Sequence, residues 1–169
     1  MHDQPPHLIL VGLGSNTAPA RWVPRALRLL RVSFPDLRAS TLYLTRPLGD
    51  PDQPAYVNGV LAATTPLALP AVRAVLRAVE AACGRVRDPQ RRLAPRPMDL
   101  DLLAYDERVE PAEDLPAREL LERDFCLVPA AEILPDWVHP LAGRTLLDLA
   151  RERFPSCPNI LAPADIALG

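Results

Sequence analysis

The chain has 169 residues and a formal net charge of −2, because 21 acidic side chains oppose 19 arginines and lysine is absent. Without lysine the chain cannot carry a P-loop, a protein-kinase site or a Schiff-base mechanism, since each of these needs that amine. The 7 glycines against 21 prolines also argue against a glycine-rich phosphate cradle. The charge balance is that of an ordinary globular protein rather than a nucleic-acid binder, and the length predicts one domain.

The sequence predicts neither a membrane segment nor a disulfide framework. No apolar run approaches the roughly 20 residues that span a bilayer, and residues 1–7 lack the basic region of a signal peptide. The 3 cysteines are far apart, odd in number and unlike a zinc-binding pattern. We therefore expect reduced thiols in a cytoplasmic protein that is a monomer.

The hydrophobic pattern predicts alternating strands and helices, with the apolar residues of each helix on one stripe. In chain order we expect a strand at 8–11, a helix at 23–34, strands at 39–45 and 56–64, a helix at 69–83 and a strand at 98–105. This β-α-β-β-α-β order is typical of a ferredoxin-like α+β fold, an antiparallel sheet with helices packed on it. A strand near 125–128 and a helix around 145–154 are expected as C-terminal additions. The proline-rich segment 155–169 is expected to be a loosely ordered tail on a domain spanning 1–154.

Two proline-rich loops interrupt this pattern, at 46–55 and at 85–97, and the second carries five arginines within 12 residues. These are Arg85, Arg87, Arg91, Arg92 and Arg96. Guanidinium groups bind phosphate oxygens in bidentate pairs, so such a loop is suited to a polyphosphate. A charge run alone is more often a solvated surface, and that alternative stays open at this point.

An aspartate pair directly follows the arginine loop. Side chains alternate along a strand, so Asp99 and Asp101 face the same side, with Cα atoms roughly 6.6 Å apart. Two neighbouring carboxylates repel each other unless they are solvated, protonated or bridged by a cation, and oxygen ligands of this kind suit Mg²⁺ bound together with substrate phosphates. Such a pair is often an exposed strand edge, but beside five arginines it favours a magnesium–nucleotide site.

Other catalytic patterns are weak in this chain. The 3 histidines lie in no metal-binding spacing, and Ser15 lies in no nucleophile elbow. Tyr56 and Asn58 are expected to share one strand face, again because of the period of 2.

The motifs resemble those of one known family, in the order in which that family carries them. They read Leu-Gly-Ser-Asn at 13–16, Tyr-Leu-Thr-Arg-Pro-Leu-Gly at 43–49, Asp-Gln-Pro-Ala-Tyr-Val-Asn at 52–58, Gly-Arg-Val-Arg at 84–87, Pro-Arg-Pro-Met-Asp-Leu-Asp at 95–101 and Arg-Asp-Phe at 123–125. Together they span about residues 8–140 and resemble the 6-hydroxymethyl-7,8-dihydropterin pyrophosphokinases of folate biosynthesis.

The resemblance implies an ATP-dependent diphosphotransferase that moves pyrophosphate from ATP to the hydroxymethyl group of the pterin and releases AMP. It implies two Mg²⁺ ions on Asp99 and Asp101, with Arg85 and Arg96 as further catalytic residues. The implied pterin contacts are Thr45, Leu48, Tyr56, Asn58 and Phe125, the two aromatic rings stacking on the substrate. The implied ATP contacts are Glu80, Arg85, Arg87, Arg92, Arg96, Leu102, Arg118 and Arg123. The implied partners are these small molecules, with no nucleic acid and no membrane.

Three positions depart from the family pattern. Ala117 and Arg118 stand where a histidine and an aromatic residue are usual, and Leu93 stands where the arginine loop usually has tryptophan. Arg118 is a candidate replacement for the lost phosphate donor. The departures leave a catalytically weakened pterin- or nucleotide-binding paralogue as an alternative. Another alternative is a ferredoxin-like module that binds RNA or a protein, with Tyr56 stacking on bases, although the negative net charge opposes it.

Overall fold

The structure, a computed structural model, describes residues 5–87, 90 and 94–167. In chain order its elements are β1 (His7–Ser15), α1 (Pro19–Ser33), β2 (Arg38–Ala39), β3 (Tyr43–Thr45), β4 (Tyr56–Thr65), α2 (Leu69–Ala82), β5 (Asp99–Tyr105), a 3-10 turn (Pro111–Glu113), α3 (Glu119–Glu122), α4 (Asp124–Ile133), β6 (Val138–His139), β7 (Arg144–Thr145), α5 (Leu146–Arg153) and β8 (Ile160–Pro163). The expected α+β class and β-α-β-β-α-β order are confirmed.

One antiparallel sheet organises the molecule. Its strand order is β5-β1-β4-β3-β8, and β2 also pairs with β4. The strand β1 lies between its two partners, so that Gly14 is opposite Asn58 on β4 and opposite Asp99 on β5. The sheet register therefore brings together residues that are more than 80 positions apart in the sequence.

Helices cover both faces of the sheet, which creates two hydrophobic cores. The first core contains Ile9 and Val11 of β1 with residues of α1 and α2, and the second contains Leu10 with residues of α3, α4 and α5. Because successive side chains of β1 enter opposite cores, this strand needs the continuous apolar run at 8–11. Within the described part of the chain, no helix is long and apolar enough to cross a membrane.

The strand expected at 39–45 is two short strands, β2 and β3. The break lies at Ser40, which is almost fully buried. Its hydroxyl accepts a hydrogen bond from the Val60 amide at 3.0 Å and donates to the Thr41 carbonyl at 2.8 Å. A side chain thus takes the place of a backbone acceptor in the ladder, and serine is one of the residues that compete in this way.

The strand expected near 125–128 is wrong, because these residues lie in α4. A short apolar run such as Phe125–Val128 shows no hydrophobic period, so its pattern does not distinguish a buried strand from a buried helix. The helix is buried around most of its circumference, as 7 of its 10 residues are buried. The helix expected at 145–154 is confirmed as α5, and the Thr145 hydroxyl caps it by accepting from the Asp148 amide.

The C-terminal segment also differs from the expectation of a loosely ordered tail. Residues Ile160–Pro163 form β8, which pairs with β3 in antiparallel register. The Ala164 amide donates to the Leu42 carbonyl at 2.8 Å, and Ala164 and Ile166 pack against the first core. The three prolines at 155–163 are compatible with this strand because β8 is at the edge of the sheet.

Candidate active site

A cavity of about 240 Å³ opens over one face of the sheet, beside the start of α4. Strands β1, β4 and β5 form its floor, and the two proline-rich loops contribute to its rim. Its lining includes Gly12, Gly14, Arg46, Leu48, Tyr56, Asn58, Arg96, Asp99, Asp101, Glu119, Phe125 and Cys126. The two sequence clusters, the aromatic and amide residues on one side and the arginine and aspartate residues on the other, therefore belong to a single site.

The floor is open because β1 presents glycines to it. Gly12 is opposite Asp101 in the β1–β5 register, and Gly14 is opposite Asp99. Asp99 and Asp101 share this face, and Tyr56 and Asn58 share it on β4, as the period of 2 predicts. A Cβ atom on Gly14 would lie 2.8 Å from Asn58 Oδ1, so glycine is needed for the close approach of that amide.

Asn58 is held in one orientation at the floor. Its Nδ2 donates to Thr45 Oγ1 at 2.6 Å, and Thr45 is completely buried behind it. The Oδ1 atom is left over Gly14, on the cavity side. Tyr56 and Phe125 add aromatic surface, and burial raises the pKa of the Tyr56 phenol above its ordinary value, so the ring stays neutral.

The opposite side of the cavity is a network of charges centred on Asp99. Arg96 Nη1 lies 2.7 Å from Asp99 Oδ2, and Arg85 Nη1 forms a short ion pair with Asp99 Oδ1. The Arg85 guanidinium also donates to the Met98 carbonyl at 3.0 Å. Two arginines from the loop at 85–97 are thus fixed on the first aspartate of β5.

Glu80 pairs with Arg85 and with a further arginine of the loop, Arg87. It is 2 % exposed, and its Oε1 accepts from the Leu100 amide at 2.9 Å. Its Oε2 lies 2.6 Å from Arg87 Nη2, and its Oε1 lies 3.4 Å from Arg85 Nη1. The carboxylate does not line the cavity but ties α2 to β5 and to the arginine loop.

Asp101 has the most perturbed carboxyl of the site. Its side chain is exposed where it lines the cavity, and desolvation of the carboxyl by the surrounding protein together with the charges of Asp99 and Glu119 raises its pKa to about 7. A cation placed between Asp99 and Asp101 would relieve this repulsion. In the described residues no group of three or more acidic, histidine or cysteine side chains forms a complete metal cage. Two carboxylates without such a cage suit Mg²⁺, which keeps phosphate or water ligands.

Asn16 connects the two loops that border the cavity. Its Nδ2 donates to Gln53 Oε1 at 3.2 Å, while its Oδ1 accepts from the Arg96 amide at 2.8 Å. The backbone N–H of Asn16 in turn donates to the Arg96 carbonyl at 3.1 Å. Glu119 and Asn16 were not among the residues expected at the site. Of the two, only Asn16 lies in a family motif, Leu-Gly-Ser-Asn at 13–16.

Comparisons with known proteins identify the family of the chain. The profile of the family 7,8-dihydro-6-hydroxymethylpterin-pyrophosphokinase (HPPK) matches residues 10–135. A protein of Pseudomonas aeruginosa named 2-amino-4-hydroxy-6-hydroxymethyldihydropteridine pyrophosphokinase is 38% identical over 155 residues, which cover 89% of this chain and 91% of the relative. The chain belongs to the 7,8-dihydro-6-hydroxymethylpterin-pyrophosphokinase family. It is therefore an enzyme, a diphosphotransferase of folate biosynthesis.

Further relatives and a solved structure are similar to this family member. A protein of Methylorubrum extorquens with the same name is 39% identical over 156 residues, covering 86% of this chain and 93% of the relative. The wild-type HPPK-DHPS crystal structure from Plasmodium falciparum superposes with a TM-score of 0.66 at 11% identity, covering 89% of this chain. The chain spans 45% of that longer protein, and at this identity the likeness concerns the fold.

Several residues that the family pattern implies for ATP lie outside the cavity lining. Arg118 is exposed, pairs with Asp114 at 3.3 Å and does not line the cavity. The Leu102 side chain is buried in the first core, under α1 and α2. Arg123 precedes α4, and its buried Nε has no hydrogen-bond partner among the described residues. Arg92, like Arg91 and Leu93, lies outside the described residues.

Proposed function

We propose that this enzyme transfers pyrophosphate from ATP to the hydroxymethyl group of 6-hydroxymethyl-7,8-dihydropterin, with release of AMP and a requirement for Mg²⁺. One observation carries the proposal: a single cavity joins an aromatic and amide wall to a wall of paired carboxylates and arginines. A flat heterocycle fits the first wall, and a polyphosphate with its cation fits the second.

The pterin is assigned to the wall formed by β4 and α4. Tyr56 and Phe125 offer two apolar ring surfaces for a planar bicycle, and Asn58 offers a polar group whose orientation Thr45 fixes. Leu48 closes the rim on the side of the loop at 46–55. A site with a fixed hydrogen-bonding edge selects a heterocycle of matching donors and acceptors.

The triphosphate is assigned to the wall formed by β5 and the arginine loop. Asp99 and Asp101 would hold Mg²⁺, two ions in our proposal, which neutralise negative charge on the phosphates. Arg85 and Arg96 are paired with Asp99, so they would offer their guanidinium groups to a bound phosphate, and Asp99 would then be available as a ligand of the cation. Glu80 acts indirectly, because it fixes Arg85 and Arg87.

The chain's own residues contribute positioning and charge to the reaction. The pterin hydroxyl oxygen forms a bond to the β-phosphorus, the bond from that phosphorus to the α,β-bridging oxygen breaks, AMP leaves, and the hydroxyl proton passes to solvent. Transfer of this kind depends on alignment and on donors aimed at the phosphoryl oxygens. Arg85 and Arg96 supply such donors, and the ring stack on Tyr56 and Phe125 aligns the hydroxyl.

An AMP-release assay tests the proposal. Purified enzyme with ATP is expected to form AMP only when both 6-hydroxymethyl-7,8-dihydropterin and Mg²⁺ are added, and EDTA is expected to stop it. Absence of AMP, with retained binding of pterin or ATP, would identify a non-catalytic paralogue instead. Absence of both, with binding of single-stranded RNA, would favour the binding module.

Gly14→Ala is expected to raise the KM for the pterin about tenfold and to change the KM for ATP much less. The added Cβ would lie 2.8 Å from Asn58 Oδ1, which must move and lose its fixed orientation. A displacement of one hydrogen-bonding group has an effect of this order. Gly12→Ala is the matched control, since its Cβ would meet Leu103 at an ordinary 3.5 Å. Equal pterin KM values for the two variants would contradict the prediction.

A further inference from the structure

A buried carboxylate, Asp124, lies directly behind the aromatic wall of the cavity. Asp124 is completely inaccessible to solvent and is the first residue of α4. Its Oδ1 accepts from the Phe125 amide at 2.9 Å and from Asn159 Nδ2 at 3.1 Å. Its Oδ2 accepts from the Asn159 amide at 2.8 Å. Three donors therefore satisfy one carboxylate, and two of them come from the segment that precedes β8.

The same C-terminal segment also holds the loop that borders the cavity. The Asn159 carbonyl accepts from the Arg46 amide at 2.9 Å, and the Pro158 carbonyl accepts from Arg46 Nε at 3.3 Å. In the next position of the sheet, Ile160 is opposite Thr45. Thr45 is the residue that orients Asn58. A continuous chain of hydrogen bonds thus connects Phe125 on one side of the cavity with Arg46 on the other, and strand pairing places the same segment beside Thr45.

We propose that Asp124 and Asn159 are positioning residues for pterin binding, and that the C-terminal segment ending in β8 is part of the active site. The inference rests on the proposed function, because it assigns the pterin to this wall. Asp124 fixes the first turn of α4, from which Phe125 enters the cavity. Asn159 fixes the start of the loop that carries Leu48. The width of the slot for the planar substrate depends on both.

The polar character of this connection supports a positioning role rather than simple stabilisation. A buried carboxylate is expensive to desolvate, and an apolar pair of similar volume would stabilise the fold at least as well. Directional hydrogen bonds specify one arrangement of the three segments, which apolar packing does not. No orientation of an amide at position 124 can satisfy all three donors, since one of its two ends is itself a donor.

The test measures ligand affinity in the full-length chain. Asp124→Asn is expected to weaken binding of 6-hydroxymethyl-7,8-dihydropterin about tenfold by calorimetry, and Asn159→Ala about threefold, because it removes the side-chain bond alone. The affinity for a magnesium-bound, non-hydrolysable ATP analogue is expected to stay within twofold. Leu161→Ala, an exposed position of β8, is the matched control.

The outcomes separate this inference from the proposed function. If the wild-type protein binds no pterin, the proposed function is wrong. The inference is then tested by hydrogen exchange at the Arg46 amide, which it predicts to be faster in Asn159→Ala than in Leu161→Ala. Unchanged pterin affinity and unchanged hydrogen exchange in Asp124→Asn and in Asn159→Ala would overturn the inference. An equal loss for pterin and for the ATP analogue would overturn it as well, since a general destabilisation affects both ligands.

Discussion

Asp101→Asn is expected to lower kcat for AMP release on the order of 10³-fold, while the protein stays folded. The substitution preserves the shape of the side chain but removes the negative charge that, with Asp99, is assigned to the cation. Glu119→Gln is the matched control, because Glu119 lines the same cavity and also carries a negative charge. Its kcat is expected to fall less than tenfold. Retention of more than a tenth of the wild-type kcat in Asp101→Asn would refute the metal assignment.

The same substitution is expected to increase stability at alkaline pH. The pKa of Asp101 is raised from its ordinary value of 3.8 to about 7 in the folded chain, so between these values the folded chain binds more protons than the unfolded one. The free energy of unfolding of the wild type therefore falls as the pH rises from about 4 through 7. Asparagine does not titrate, so this loss is absent in the variant.

Thermal unfolding in EDTA checks the stability effect. The Tm of Asp101→Asn should exceed that of the wild type at pH 8, and the difference should shrink toward pH 4.5. A Tm difference that is the same at both pH values would show that the carboxyl is not perturbed. A residue that is costly to the fold and essential to turnover is common in active sites.

Glu80→Gln is expected to lower the free energy of unfolding by about 3 kcal/mol and to raise the KM for ATP about tenfold. The amide can still accept from the Leu100 amide through Oε1, but its NH₂ group then faces Arg87. A buried acceptor is thus replaced by a donor beside a cation. Arg85 and Arg87 lose the group that fixes them near the phosphate wall.

Urea unfolding and steady-state kinetics measure the two effects of Glu80→Gln separately. Glu107→Gln provides the control, because Glu107 is an exposed acidic residue outside the cavity lining. A stability loss without any change in the KM for ATP would mean that Glu80 supports the fold alone. An unchanged free energy of unfolding would contradict the assignment of Glu80 as a buried anchor.

The sequence predicts those parts of the site that depend on local periodicity. Asp99 and Asp101 share a face, and so do Tyr56 and Asn58, because the alternation along a strand is a property of the backbone alone. The arrangement of strands follows from their order and from the few topologies that such an order allows. These local features suffice to place the two halves of the site on one sheet.

Other features depend on tertiary partners that no local pattern specifies. Arg118 pairs with Asp114 and does not line the cavity, although its position in the chain suggested a phosphate donor. Phe125 reaches the cavity from a helix rather than a strand, since burial on nearly all sides erased the period of α4. Glu80 left a usable signal: it lies four residues after Leu76 on the apolar stripe of α2, where an acidic residue needs buried partners.

Gly14 lies between Asn58 and Asp99 and sets the spacing of the proposed pterin and phosphate sites. These three residues lie side by side on β4, β1 and β5, so the amide and the carboxylate are separated by two interstrand steps, about 10 Å in total. A register slip of one residue would turn both groups to the opposite face of the sheet, so the distance between them cannot change in small increments. In the proposed function, substitutions outside the sheet, such as those at Leu93 and Ala117, can change the affinity for the ligands but leave the distance between the two sites unchanged.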